Sequence, residues 1–511
     1  MSGSHVAPEP MPGADPSLYN ADLAPTPLAG RTWRWTSIAA LWVGMVVCVP
    51  TYMLAAGMVQ QGMSWSQAVI TVLLGNVIVL VPMALVGHAG TKHGIPFPVL
   101  LRASFGTVGA NIPSLLRGLV ACGWFGIQTW IGGAAIYTLV NAVTGGSLAG
   151  ARVAVAFPGT ENLVFEVVLP FLEINGWELA SFLAFWALHV FFIAKGTESI
   201  RWLETYAAPF LIVMGLALLA WAYLKAGGLG EMLKTPSQFD DGGPRAGQFW
   251  SVFFPSLTAM VGFWATLSLN IPDFTRYCRT QRDQLLGQAV GLPPTMALFA
   301  FIGVAVTSAT VVIYGEAIWD PVALLGRMGG AAVGVALFAL AIATLTTNLA
   351  ANVVAPANGF SNLSPRRISF KMGGYITAGL GIAMFPWKLL ASTEGYIFTW
   401  LIGYSALLGP IAGILISDYF LVRGTHMNVP ELFQERGRYR YAGGINPKAL
   451  IALALGVAPN VPGFLVAGGF MDAASIPDAF LTVYTYAWFV GFFTSGLVYF
   501  ALTGRKAPAQ A

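Results

Sequence analysis

The residues able to do chemistry in this chain lie inside segments that otherwise read as hydrocarbon. In Ala343-Thr344-Leu345-Thr346-Thr347-Asn348-Leu349-Ala350-Ala351-Asn352, hydroxyls and two carboxamides interrupt an apolar run. A second cluster, Trp124-Phe125-Gly126-Ile127-Gln128, interrupts another. Polar side chains at bilayer depth are costly unless they meet one another, a ligand or an ion, so such clusters mark a binding site. Neither contains a charge, and that constrains the function more than any other feature.

Trp124 and Gln128 are four residues apart, so they share one helical face. An indole above a primary amide suits a flat heterocycle: the ring stacks and the amide matches a donor–acceptor edge. The plainer alternatives are that Trp124 packs and that Gln128 bonds the backbone of a neighbouring helix, although an amide without a partner is expensive in hydrocarbon. Trp130, two residues on, points elsewhere and reads as packing. Ala343 and Thr347 also share a face, with Thr346 adjoining. Two hydroxyls there could offer neutral oxygens to a small cation, joined by carbonyls from a break in the first span. Hard oxygens without carboxylates fit Na⁺ better than Ca²⁺ or Mg²⁺; the alternative is that both threonines bond back to carbonyls one turn earlier. Asn348 and Asn352 are again one turn apart, one to serve packing while the other faces a ligand.

No Asp or Glu falls at mid-depth in spans one, three, six or eight; Asp273, Asp418 and Glu204 lie near helix ends. His189 reads as a single packed histidine. A proton-relay pump normally shows buried carboxylates or histidines, and an amino-acid carrier needs groups facing both an ammonium and a carboxylate. The solute is therefore expected to be uncharged. Cys48, Cys122 and Cys278 have no CxxC spacing, so neither a disulfide framework nor a zinc site is expected. No cofactor is expected beyond a coupling ion, Na⁺ or H⁺.

The elements that position these groups follow from composition. The chain has 511 residues, 56% hydrophobic and 9% charged, where a soluble domain carries about 25% charged residues. It is an all-α integral membrane protein. Apolar stretches long enough to cross roughly 30 Å of hydrocarbon fall near 36–58, 67–89, 113–141, 177–196, 203–224, 250–272, 287–315, 332–355, 372–389, 396–422, 449–468 and 480–503. These are the twelve spans, one to twelve. With the N-terminus inside, twenty Lys and Arg fall inside and six outside. This is the positive-inside pattern, so both termini are expected in the cytoplasm and the basic clusters are topological anchors rather than a nucleic-acid patch.

Residues 1–30 are polar and rich in proline, lack the apolar core of a signal peptide, and read as a disordered cytoplasmic tail. The remaining divisions are a ten-helix transport core over 31–423 (halves 31–224 and 245–423), a cytoplasmic loop over 424–448, two peripheral spans over 449–503 and a short tail over 504–511. Long external loops are expected at 144–176 and 225–249.

Span one contains Gly44 and the pair Val49-Pro50; proline removes an amide donor and clashes with the preceding turn, so the helix should kink or unwind. Span six, its counterpart in a five-plus-five repeat, contains Pro255 and Gly262. Breaks at matching places in two halves point to a midplane site in a secondary transporter, since unwound backbone frees carbonyls for a cation. The alternative is that these residues merely kink packed helices.

At this point the sequence resembles a known family. Leu23-Ala24-Pro25-Thr26, Gly90-Thr91-Lys92-His93-Gly94-Ile95-Pro96-Phe97-Pro98-Val99, Arg102-Ala103-Ser104-Phe105-Gly106, the run Gly123 to Gly133, Asn270-Ile271-Pro272-Asp273-Phe274-Thr275-Arg276-Tyr277 and Ile416-Ser417-Asp418-Tyr419-Phe420-Leu421-Val422 are similar to motifs of the nucleobase-cation symporters, type one, the permeases of purines, pyrimidines, hydantoins and allantoin. The resemblance runs from about Leu18 to Val422. It implies twelve transmembrane helices in a five-plus-five inverted repeat with helices one and six broken, two peripheral helices, and alternating access. It further implies that Trp124 and Trp264 sandwich the solute, that Gln128 and Asn352 bond its amide edge, and that Phe263 contacts it. In sodium-coupled members the ion would be held at Gly44, Val47, Ala343, Thr346 and Thr347, and a bulky residue at Leu401 would close over the solute. One position departs: Cys48, smaller and a poorer hydrogen-bonding group, stands where the hydantoin branch carries an amide, which leaves substrate identity open.

The expected function is import of a neutral planar nitrogen heterocycle, such as uracil, allantoin or a hydantoin, across the plasma membrane by cation symport. The alternative is a proton-coupled carrier of another small neutral amide, such as a vitamin or nucleoside. A membrane-embedded enzyme would need a nucleophile, metal cluster or paired carboxylates near these clusters, and a channel would line its pore with carbonyl or charged rings; the chain shows neither.

Overall fold

The computed structural model describes residues 11–146, 148, 174–195, 197–328, 331–391 and 395–505, with side chains at 197–208, 211, 331–332 and 396–398 left aside. Each expected span has a helical counterpart. Eight helices are long and apolar enough to cross a membrane alone: Trp65–His93, Asn111–Val143, Gly176–Lys195, Phe249–Asn270, Gln281–Tyr314, Val333–Leu363, Thr399–Val422 and Pro447–Ala467. Two more crossings are bent pairs, Trp35–Val46 with Val49–Gln60 and Asp478–Thr485 with Ala487–Thr503. Thr197–Ala226 and Phe370–Ala383 occupy the positions of spans five and nine. The external loop expected at 144–176 lies largely outside the described residues, as do residues 1–10 and the last six of the chain.

Local chemistry sets the helix ends. Ser64 and Gln67 form a reciprocal cap at the start of span two, which ends on Gly94 at φ 71°, a left-handed turn that favours glycine. Span one breaks as its sequence demands. Val47 (φ −75°, ψ 73°) and Cys48 (φ −139°, ψ 158°) leave the helical region, Pro50 opens the second half-helix, and the halves meet at 59°.

Span six does not break. It runs as one helix over Phe249–Asn270 with Pro255 inside it, and two physical reasons account for the difference. The missing amide of Pro255 deprives only the Ser251 carbonyl, in the first turn at an exposed end, so the loss costs little. Gly262 serves close packing instead: a Cβ there would collide with Ser405 Oγ and lie 3.0 Å from the Leu401 carbonyl oxygen of span ten.

The contacts between spans carry the signature of a repeat. Span one lies along span seven and span six along span two; span four packs on three and span nine on eight. Exchanging each span for the one five places away within the first ten turns one–seven into six–two and three–four into eight–nine, while pairs three–eight and two–seven map onto themselves. Because five is odd, the second copy enters from the opposite face, which makes the repeat inverted.

Residues 11–30 are not a disordered tail. The Asp15 amide bonds the Phe433 carbonyl, Asn20 bonds Ser361, and Arg276 bonds the Asp22 carbonyl, while Leu18 and Leu23 are buried. Polar composition concealed this because the partners that hold the segment, such as Phe433, Ser361 and Arg276, lie far away in the sequence.

A buried polar hub ties the end of span ten to its surroundings. Asp418 and Arg423 pair at 2.7 Å with both side chains 1% exposed. Asp418 also accepts from Ser104 (3.0 Å) and from Tyr499 of span twelve (2.7 Å), and Arg423 donates to the Ala103 carbonyl and to Tyr441. Arg423→Met leaves the carboxylate buried without its cation, so it should cost about 3–5 kcal/mol, read as a lower denaturant midpoint in nanodiscs; an unchanged midpoint refutes a structural role for the pair.

Candidate functional site

The break in span one opens onto a small cavity. Its lining comes from four spans: Met45 and Cys48 at the break, Trp124 and Gln128 of span three, Phe263, Trp264, Thr266 and Leu267 of span six, and Thr347, Ala351 and Asn352 of span eight. Thus seven residues singled out from the sequence, scattered from 48 to 352, meet at one place. Spans three and eight are each other's principal neighbours, and this brings Trp124 and Gln128 opposite Asn352.

The walls are aromatic. Trp124 meets Phe263 edge to face at 5.2 Å and Trp400 at 6.0 Å, while Trp264 meets Trp42 at 5.1 Å. Gly123 permits the approach of Trp400, whose ring would collide with a Cβ there. Trp130 packs on Phe182 and Trp387, away from the cavity.

The polar groups divide into satisfied and poised. Thr346 Oγ1 donates to the Ala343 carbonyl at 2.8 Å, the back-bonding arrangement. Thr347 does otherwise: its buried hydroxyl has no partner among the described residues. Gln128 Oε1 and Trp264 Nε1 are likewise buried without partners there. These three atoms leave hydrogen-bonding capacity at the cavity that a ligand could use. Asn348 bonds the Phe125 carbonyl of span three at 3.0 Å and serves packing, whereas Asn352 lines the cavity with its Nδ2 donating to Asn348 Oδ1 at 2.9 Å.

The residues expected to hold a cation include Thr347 of the cavity lining and Val47 beside Cys48. Val47 and Ala343 pack together, bringing the break against span eight. The Cys48 amide bonds Val46 at 2.8 Å instead of Gly44, so the Gly44 carbonyl loses its helical donor. A freed carbonyl, the Ala343 carbonyl and an uncommitted hydroxyl at Thr347 suit a monovalent ion that prefers neutral oxygens. Leu401 behaves differently from these residues: it is fully buried, its carbonyl accepts from Ser405, and it does not line the cavity.

Sequence reasoning missed Met45, Thr266, Leu267 and Ala351, which carry no distinctive chemistry. It also missed Arg117, two turns before Trp124 on the same face. Arg117 is buried, and its Nε donates to the Thr266 carbonyl at 2.8 Å and to Asn270 Oδ1 at 2.9 Å, so a guanidinium lies behind the residue that forms one wall of the cavity. Nearby Asp273, just beyond span six, is pushed up to about 6 by burial, with Arg276, the Phe97 amide and Arg117 opposing the rise.

Repeated five-helix halves, a broken first helix and an uncharged, aromatic-walled cavity at the break define a secondary transporter. Residues 25–491 match the family described as permease for cytosine/purines, uracil, thiamine, allantoin, and the chain belongs to that family. It is 46% identical over 501 residues to the purine-uracil permease NCS1 of Arabidopsis thaliana, covering 97% of this chain and 80% of that one. It is 39% identical over 495 residues to the allantoin permease of Bacillus subtilis, covering 96% and 94%. Among solved structures it resembles Mhp1, a nucleobase-cation-symport-1 family transporter in a closed conformation with bromovinylhydantoin bound, at a TM-score of 0.71 and 28% identity over 97% of this chain and 98% of that one.

Proposed function

We propose that this permease imports a neutral planar nitrogen heterocycle, a nucleobase such as uracil or the ureide allantoin or a hydantoin, with a monovalent cation by alternating access. The observation that carries this reading is the cavity itself: aromatic walls at Trp124, Phe263 and Trp264 with carboxamides at Gln128 and Asn352 and no charged lining residue. Rings stack on indoles and present donor–acceptor edges to amides. The names of the relatives, a purine-uracil permease and an allantoin permease, support the same solute class.

The coupling ion is Na⁺ or H⁺, with the carbonyls of Gly44, Val47 and Ala343 and the hydroxyls of Thr346 and Thr347 as the set for Na⁺. Leu401 is placed to act in closure only through a movement that brings it to the cavity from its present buried position. The chain acts as a carrier rather than an enzyme, a reading supported by its membership of a permease family. The Lys and Arg distribution supports a plasma-membrane protein with both termini in the cytoplasm.

Uptake by proteoliposomes tests this. Saturable accumulation of labelled uracil, allantoin or hydantoin that collapses when the Na⁺ and H⁺ gradients are dissipated supports a symporter. Linear, non-saturating flux, or none with any of these solutes, overturns it.

A further inference from the structure

His189, at the centre of span four, is fully buried, with its ring edge-on to Phe125 (5.1 Å) and Phe185 (4.8 Å). It does more than fill space. Its Nδ1 lies 2.9 Å from the Phe185 carbonyl, which can only accept, so Nδ1 carries the hydrogen and Nε2 of the neutral ring is an acceptor. That acceptor faces Asn348 Nδ2 at 3.0 Å.

The direction of the remaining bonds follows. Asn348 Nδ2 also lies 3.0 Å from the Phe125 carbonyl and 3.2 Å from Thr129 Oγ1, whose own hydrogen goes to the Phe125 carbonyl at 2.6 Å. Three acceptors converge on one end of the Asn348 carboxamide, so that end must be the amino group. Its Oδ1 is then turned to Asn352 and accepts Nδ2 at 2.9 Å. With one hydrogen committed, Asn352 keeps its carbonyl oxygen and a single amide hydrogen for the cavity it lines.

We propose that His189 is a positioning residue for solute recognition: by accepting from Asn348 alongside the Phe125 carbonyl and Thr129 it helps hold the end of the Asn352 carboxamide that meets the solute, and so favours rings that present an unsubstituted amide or ureide N–H beside a carbonyl. The inference rests on the heterocycle-carrier reading above and narrows its solute class. A chain of neutral hydrogen bonds from span four through span eight thereby sets the donor–acceptor order of a site that His189 never touches. A phenyl ring at 189 would fill the same aromatic slot but leave the two amino hydrogens of Asn348 only the Phe125 carbonyl and Thr129 Oγ1, which already bond one another, so the carboxamide would be held less firmly.

The test is a competition assay on the full chain in nanodiscs with uracil, hydantoin and allantoin and with 1-methyl- and 3-methyl-uracil and -hydantoin. Wild-type protein is expected to reject at least one N-methylated probe by about a hundredfold or more relative to its parent ring, as a site built on hydrogen bonds does. His189→Phe should narrow that ratio at least about tenfold and weaken binding of the parent ring, with the number of binding sites per folded molecule unchanged. His189→Gln, whose carbonyl can accept, should restore discrimination. A purely structural role would lower stability and leave the ratio alone, and that result overturns the inference. Should His189→Phe not fold, nitrogen-15 NMR of His189 in the wild type decides: a neutral ring protonated at Nδ1 supports the chain, and a hydrogen on Nε2 overturns it. If none of the probes binds wild-type protein, the heterocycle-carrier reading itself fails; if they bind and both variants discriminate as before, the His189 inference alone fails.

Discussion

Gln128→Leu is expected to weaken solute binding roughly a hundredfold while leaving the protein as stable as the parent or slightly more so. The two halves of that expectation share one cause. Gln128 Oε1 is buried at the cavity with no donor among the described residues, so the protein bears the desolvation cost of this acceptor. A ring N–H placed there recovers that cost, and the leucine variant has nothing to offer it. The loss is about 2–3 kcal/mol, roughly a hundredfold in Kd, because the solute's own donor would be stranded. Replacing an acceptor without a partner by a methyl group of similar size removes a penalty from the ligand-free protein. Binding titration and thermal unfolding on the same preparation check both halves. Full retention of uptake refutes the ligand role of Gln128, and a collapse in stability shows that its amide serves packing.

Thr347→Val is the second large effect: it should remove any stimulation of uptake by Na⁺, while Thr346→Val does so less completely. The structure separates the two neighbours. Thr346 spends its hydroxyl hydrogen on the Ala343 carbonyl, whereas the Thr347 hydroxyl is uncommitted and lines the cavity beside the break in span one. Valine keeps the shape and the β-branch and deletes only the oxygen. A sodium titration of uptake, with the proton gradient clamped, reads the result. Stimulation that survives in Thr347→Val relocates the ion. A wild type indifferent to Na⁺ makes the proton the coupling ion and removes the role assigned to both threonines.

Much of this site was legible in the residues because bilayer depth makes polarity expensive. Trp124, Gln128, Thr347 and Asn352 stood out against hydrocarbon, and their convergence followed from the repeat that packs span three on span eight. The break in span one was legible because Pro50 acts within its own turn. What escaped was set by tertiary context. Pro255 looks like a breaker until its place near an exposed helix end makes the lost bond cheap, and Gly262 answers to Ser405 more than a hundred residues away. The tail at 11–30 is held by partners such as Phe433 and Ser361 that no local pattern announces. His189 read as packing because its bond to Asn348 joins residues 159 positions apart.

Arg117 has a consequence for the transport cycle. Its guanidinium is fixed to two acceptors of span six, the Thr266 carbonyl and Asn270, while Nη1 has no acceptor among the described residues. A charge held that way is starved of water, and withholding hydration from an ion in a protein interior costs several kcal/mol. Any movement that parts span three from span six at this level trades two fixed bonds for a hydration shell. Arg117 therefore ties span three to span six beside the cavity, and a conformation that separates them must supply its guanidinium with water or other acceptors.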